Sequence, residues 1–191
     1  MIRASGIAAI GFSGQQTVDH IFREIADQLK TDGLSVAGYV QKEIQQPGSC
    51  CSTIFVEDIA SGALQCISQP LGPGSRGCRL DTAAMAVAEC SLLAQVNSKT
   101  NLIIINRFGK GEAEGGGLRA VIGAAALRNI PILVGVRDAY FQDWIEFAGD
   151  EFSTLSADTR VALQWCRSAL KSSTEESIIE APIPNLKHEV V

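Results

Sequence analysis

The chain has 191 residues, 46% of them apolar and 19% charged, which suits one ordinary domain with a sizeable core. A net charge of −5 without a block of Lys or Arg argues against nucleic acid as a partner, and no apolar run reaches the roughly 18–20 residues of a membrane span. The start, MIRASGIAAIGF, lacks a signal-peptide cleavage site, so a cytoplasmic protein is expected.

Residues 6–12 (GIAAIGF) form an apolar run, and Val18, Ile21, Phe22, Ile25 and Leu29 follow at helical spacing, so a strand leads into an amphipathic helix. Gly33 closes that helix. A strand is predicted over 34–41 (LSVAGYVQ), then a polar loop, KEIQQPGSCCS, with a Pro-Gly turn. Residues 53–59 and 64–69 read as an antiparallel hairpin that interrupts the β/α alternation. The irregular stretch 70–81 ends in Asp81, placed to cap an Ala-rich helix over 82–97. NLIIIN (101–106) is a continuous apolar run, the pattern of a strand buried on both faces of a parallel sheet. RFGKGEAEGGG is a Gly-rich loop opening a helix from Leu118 to about Arg128. A buried strand at 131–136, an aromatic-rich helix at 139–148, a brief strand at 151–155 and a helix over 157–170 follow. A single domain over 1–171 and an extended tail over 172–191 are expected.

This alternation predicts a three-layer α/β domain with a mainly parallel sheet and an antiparallel β-hairpin insertion. Ligands of such sheets bind at the carboxyl ends of the strands. Two strands here end in Gly-rich loops, those after Phe12 and after Asn106, so the site is expected where these loops meet.

The order of features resembles the P-loop nucleoside-triphosphatases, in particular the small family described from thermophiles. The resemblance rests on the first loop, on Val36-Ala37-Gly38-Tyr39-Val40-Gln41, and on Asn106-Arg107-Phe108-Gly109-Lys110-Gly111-Glu112. The chain is similar throughout to an uncharacterised bacterial domain-of-unknown-function family related to those enzymes, in VAGYVQ, DIASGALQCISQPLG and GCRLD. Some members of that family are encoded near molybdate-uptake genes, which puts molybdate among the oxyanions the resemblance implies.

A Walker A loop wraps phosphates with backbone N–H groups, neutralises them with Lys and holds Mg²⁺ through Ser or Thr. Laid on that pattern, Ile10 and Gln15 take the Gly positions, Gln16 the Lys position and Thr17 the hydroxyl. Asn106 and Arg107 stand where Walker B and the following residue of the family are Asp and Glu. Both motifs are therefore degenerate: the phosphate lysine and both acids are missing, which argues against efficient Mg²⁺-dependent hydrolysis. The same changes favour holding a metal-free oxyanion or a nucleotide through Ser13, Gly14, Gln15, Gln16, Thr17, Asn106, Arg107, Gly109 and Lys110. Arg76 and Arg79 are candidates for a basic lid. No catalytic residue, metal site or certain cofactor is assigned, and the expected partner is a small anionic ligand, with homo-oligomerisation open.

Two alternatives stand beside this reading. One is a slow Mg²⁺-dependent nucleoside-triphosphatase with Lys110 as the phosphate lysine and Glu112 or Glu114 serving Mg²⁺ or water. The other is a scaffold with a decayed site, assembling through the hairpin or the aromatic helix. The six cysteines show no C-x-x-C spacing and read as reduced thiols, Cys90 and Cys166 as core; a soft-metal set of Cys50, Cys51, Cys66 and Cys78 is the competing reading. His20 is expected in solvent, and Tyr140, Phe141, Trp144 and Phe147 as core rather than a stacking surface.

Overall fold

The computed structural model describes residues 6–13, 18–45, 52–69 and 80–179. Within them, β1 (Ile7–Phe12), β2 (Val36–Gln45), β3 (Ser52–Asp58), β4 (Leu64–Cys66), β5 (Leu102–Phe108), β6 (Ile132–Arg137) and β7 (Ser153–Leu155) form one sheet in the order β4-β3-β2-β5-β6-β1-β7. The pairs from β2 through β7 are parallel, and β3 and β4 add antiparallel at one edge. The helices are α1 (Asp19–Thr31), α2 (Thr82–Gln95), α3 (Lys110–Ala113), α4 (Arg119–Ala126), α5 (Phe141–Ala148) and α6 (Thr159–Ile179).

The central strands carry apolar side chains on both faces because each face is covered by helices. Leu102 and Ile104 of β5 enter the core under α1 and α6, whereas Ile103 and Ile105 enter the core under α2, α4 and α5. On the first side, Ile21, Phe22, Ile25 and Leu29 of α1 supply the buried stripe seen in the sequence. On the second, Trp144 is fully buried, edge-on to Phe108 at 5.3 Å between ring centroids, whereas Tyr140, Phe141 and Phe147 are half-buried against that core. Asp81 caps α2, accepting from the N–H groups of Ala83 and Ala84 at 2.9 and 3.0 Å.

Several expectations need correction. β2 runs on to Gln45 into the segment read as loop, because Gln41–Gln45 pair with β3 and the ladder satisfies the backbone of residues too polar to look like strand. β5 extends past Asn106 to Phe108, and the Gly-rich loop contains a short helix, α3. α6 continues past Leu170 to Ile179, inside the stretch expected to be an extended tail. Cys90 lies on the exposed face of α2 rather than in the core, while Cys166 is buried as expected. In α2 only Ala88 and Leu92 are fully buried: an all-round apolar composition gives no period from which to choose the inner face.

One irregularity positions the site. Ile105 pairs with Val134 and Phe108 with Val136, so three residues of β5 span two of β6. This bulge at Asn106–Arg107 returns Phe108 to the same core as Ile105, where strict alternation would send it to the opposite face.

Candidate functional site

The carboxyl ends of β1, β5 and β6 meet beside the start of α1. Asn106 is buried and makes two hydrogen bonds: its Oδ1 accepts from the Gln41 N–H at 3.0 Å, and its Nδ2 donates to Asp19 Oδ1 at 2.7 Å. Arg107 points the same way, with Nη2 at 3.6 Å from Asp19 Oδ2 and the guanidinium 5.7 Å from the centre of the Phe12 ring. Phe12 is paired in register with Arg137, the exposed last residue of β6. Two arginines and two aspartates, Asp19 and the Asp138 that follows β6 beside Gly11, therefore share the strand ends.

Close packing under this site depends on Gly135. A Cβ there would collide with the Asn106 carbonyl oxygen and come within 2.9 Å of Val18 and 3.0 Å of Phe22. The missing side chain lets the first turn of α1 settle over β6, which brings Asp19 to Asn106 and Arg107.

The dominant electrostatic fact at the site is the desolvation of Arg107. Burial pulls the Arg107 guanidinium below its ordinary value, Arg137 adds to that shift, and Asp19 and Glu43 only partly oppose it. Its buried Nε has no hydrogen-bond acceptor among the described residues. A guanidinium in this state is stabilised by any further anion that approaches.

The loop after β5 is held by its own carboxylate. Glu112 is buried, and its two oxygens accept from the N–H of Gly109 at 3.0 Å and of Leu118 at 3.1 Å. Arg119 donates to the Glu112 carbonyl at 3.0 Å and lies over the Phe147 ring at 4.2 Å. Gly117 has φ +60, and a Cβ there would strike the Glu112 carboxylate, so glycine is required on both counts. Lys110 is exposed and pairs with Glu114 at 3.7 Å one helical turn on.

Of the residues singled out in the sequence, Asn106 and Arg107 come together in one cluster, and Ser13 lies exposed at the end of β1. Gly109 and Lys110 sit at the next corner, but the Gly109 N–H is occupied by Glu112 and so is not a free donor for an anion. Gly14, Gln15, Gln16, Thr17, Arg76 and Arg79 lie outside the described residues. Sequence reading missed Asp19 and Arg137. Their signals were an acid in the first turn of the helix that follows the loop, and a charge ending an otherwise buried strand.

The family described as Protein of unknown function (DUF2478) matches residues 7–165. The Molybdenum import ATP-binding protein ModC 2 of Bradyrhizobium diazoefficiens is 34% identical over 161 residues, which is 84% of this chain and 18% of that protein. The chain thus spans less than a fifth of that relative's length. The solution structure of a human cancer-related nucleoside triphosphatase superposes with a TM-score of 0.57 at 15% identity, covering 88% of this chain and 97% of that one. The likeness establishes the three-layer fold of that nucleoside triphosphatase. No helix among the described residues is long and apolar enough to cross a membrane.

Proposed function

Because this chain belongs to the DUF2478 family and has a P-loop nucleoside-triphosphatase fold, we propose that it binds a nucleotide or a free oxyanion at the ends of β1, β5 and β6 without turning it over efficiently. The observation that carries this reading is Arg107: a largely buried guanidinium with one carboxylate partner at 3.6 Å, an Nε without acceptor, and Arg137 beside it. A desolvated guanidinium thus stands where the resemblance leads one to expect an acid. The carboxylates nearby have other work, Asp19 with Asn106 and Arg107, and Glu112 with two backbone N–H groups. The similarity to part of a molybdenum import ATP-binding protein adds molybdate and ATP to the anions worth testing.

The displaced-group triphosphatase is the weaker reading. A Glu112 that left its two N–H donors to serve Mg²⁺ would leave both without their acceptor, at a cost of about 1–3 kcal/mol for the buried Leu118 N–H and less for the part-buried Gly109 N–H.

Calorimetric titration of the full chain with ATP, GTP, phosphate, sulfate and molybdate, with and without Mg²⁺, tests the proposal. Binding that does not require Mg²⁺, is weakened by Arg137→Ala, and comes with phosphate release from ATP no faster than without protein is the expected result. Failure of all five anions to bind at millimolar concentration would overturn it. Mg²⁺-dependent phosphate release that is lost in Lys110→Ala would favour the triphosphatase instead.

A further inference from the structure

Next to the arginines, on the α2 side of the sheet, a cleft of ≈ 250 Å³ opens between the ends of β2, β5 and β6 and the helices above them. Its two zones differ in chemistry. The inner wall is apolar, with Tyr39, Val56, Ile67, Met85 and Leu118. Tyr39 is fixed there because its hydroxyl donates to the Ala88 carbonyl of α2 at 2.9 Å, which leaves the ring as a wall. The rim carries Arg107, Lys110 and Arg137, against a single lining acid, Glu112, whose two oxygens are already occupied by backbone N–H groups. Tyr140, half-buried, stands at the same rim.

Three cations line this cleft with one satisfied carboxylate, although Arg107 and Lys110 also have partners outside the lining, Asp19 at 3.6 Å and Glu114 at 3.7 Å. An inorganic oxyanion held at such a rim would leave the apolar wall unused. The cleft has room for about eight waters at about 30 Å³ each, and a tetrahedral oxyanion displaces only a small part of that. It is also slightly smaller than the range of about 300–1,000 Å³ usual for drug-sized ligands. A flat ring system inside with its charged group at the mouth fits both the volume and the two zones. Two tyrosines give such a ring aromatic neighbours.

We propose that this cleft binds a phosphomonoester that carries an aromatic ring, the ring seated against Tyr39 and Met85 with the phosphoryl group at Arg107, Lys110 and Arg137. This rests on the anion-binding reading above and adds to it: the preferred ligand carries a ring, and the ring goes to the α2 side.

Met85 makes the test direct, since the chain has two methionines, Met1 and Met85, and a methyl-labelled sample gives two assignable signals. The full-length protein, labelled at the methionine methyls, is titrated in parallel with phenyl phosphate, AMP and inorganic phosphate, and affinities are measured by calorimetry. Met85→Leu assigns the signal. The expected result is a saturable ring-current shift of the Met85 methyl with phenyl phosphate or AMP and none with phosphate, together with at least tenfold tighter binding of one of the two esters. Arg137→Ala, a change at an exposed residue, should weaken ester and phosphate binding alike. If phosphate binds and both esters bind no tighter and leave Met85 unmoved, the cleft proposal is overturned while the anion reading stands. If none of the three binds, the cleft proposal is overturned, and the anion reading falls with it only when ATP, GTP, sulfate and molybdate fail as well.

Discussion

Replacing Asn106 by aspartate would introduce the acid that the resemblance leads one to expect at this strand end, and the contacts of Asn106 set the cost. Asn106 donates to Asp19 Oδ1 at 2.7 Å. In Asn106→Asp the contact with the Gln41 N–H survives, but the Asp19 contact becomes carboxylate against carboxylate. Two unit charges 3–4 Å apart repel by about 4–5 kcal/mol at an effective dielectric near 20. Protonating one carboxyl relieves the repulsion and sets a ceiling: taking up a proton from an ordinary value near 3.9 costs about 1.5 kcal/mol at pH 5 and about 4 kcal/mol at pH 7. Arg107, at 3.6 Å from Asp19, lowers the penalty further. The expected loss is therefore about 1 kcal/mol at pH 5 and about 2–4 kcal/mol at pH 8. The sign follows from linkage. The introduced carboxyl has a folded value raised above its unfolded one, so the folded variant binds more protons and loses stability as pH rises between the two. Urea denaturation of both proteins at pH 5 and pH 8 measures this, with a midpoint gap at pH 8 of about 1–2 M for an m-value near 2 kcal/mol/M. A variant as stable as the parent at pH 8, or relatively more stable there than at pH 5, would refute the Asn106–Asp19 contact. Recovery of stability with millimolar Mg²⁺ would show that one substitution rebuilds a metal site.

Glu112→Gln should destabilise by about 1–3 kcal/mol, because an amide can accept from only one of the Gly109 and Leu118 N–H groups and turns a donor toward the other; thermal unfolding reads it. Asp58 is buried, which pushes its carboxyl up, but hydrogen bonds from Gln95, at 2.5 Å, and from Ser61 N–H and hydroxyl, at 2.7 and 2.9 Å, together hold it below its ordinary value. That stabilisation is complete above the unfolded value near 3.9 and is lost as pH falls through the folded value, so the parent should lose more stability than Asp58→Asn between pH 6 and pH 3. Urea midpoints across that range test it, and parallel pH profiles would refute it. Burial pushes the Cys166 thiol up to about 12. Its thiolate fraction at pH 8 is then about 10⁻⁴, so Cys166→Ser should leave the number of thiols titrated by a disulfide reagent in the native protein unchanged and lower it by one in denaturant.

Much of the layer architecture was legible because local pattern and burial agree. NLIIIN and PILVGV are apolar on both faces and could only be central strands, and the stripe from Ile21 to Leu29 has one period. Legibility failed where a partner decides. Lys42, Glu43 and Gln45 are polar and become strand through the β3 ladder, and Cys90 sits on a helix whose composition marks no inner face.

The sequence by itself singled out Asn106 and Arg107, an amide and a cation ending a buried apolar strand where the resemblance leads one to expect acids. Only the tertiary structure decided what those residues do. Asp19 lies 87 positions from Asn106, and the two meet because Gly135 lets α1 sit low on β6 and because Asn106, two residues on from Ile104, faces α1 by ordinary strand alternation. Arg137 and the apolar cleft join the site for the same reason: strands far apart in the chain end at one edge of a parallel sheet, and side-chain partners there are set by sheet order and register, which leave no local trace in sequence.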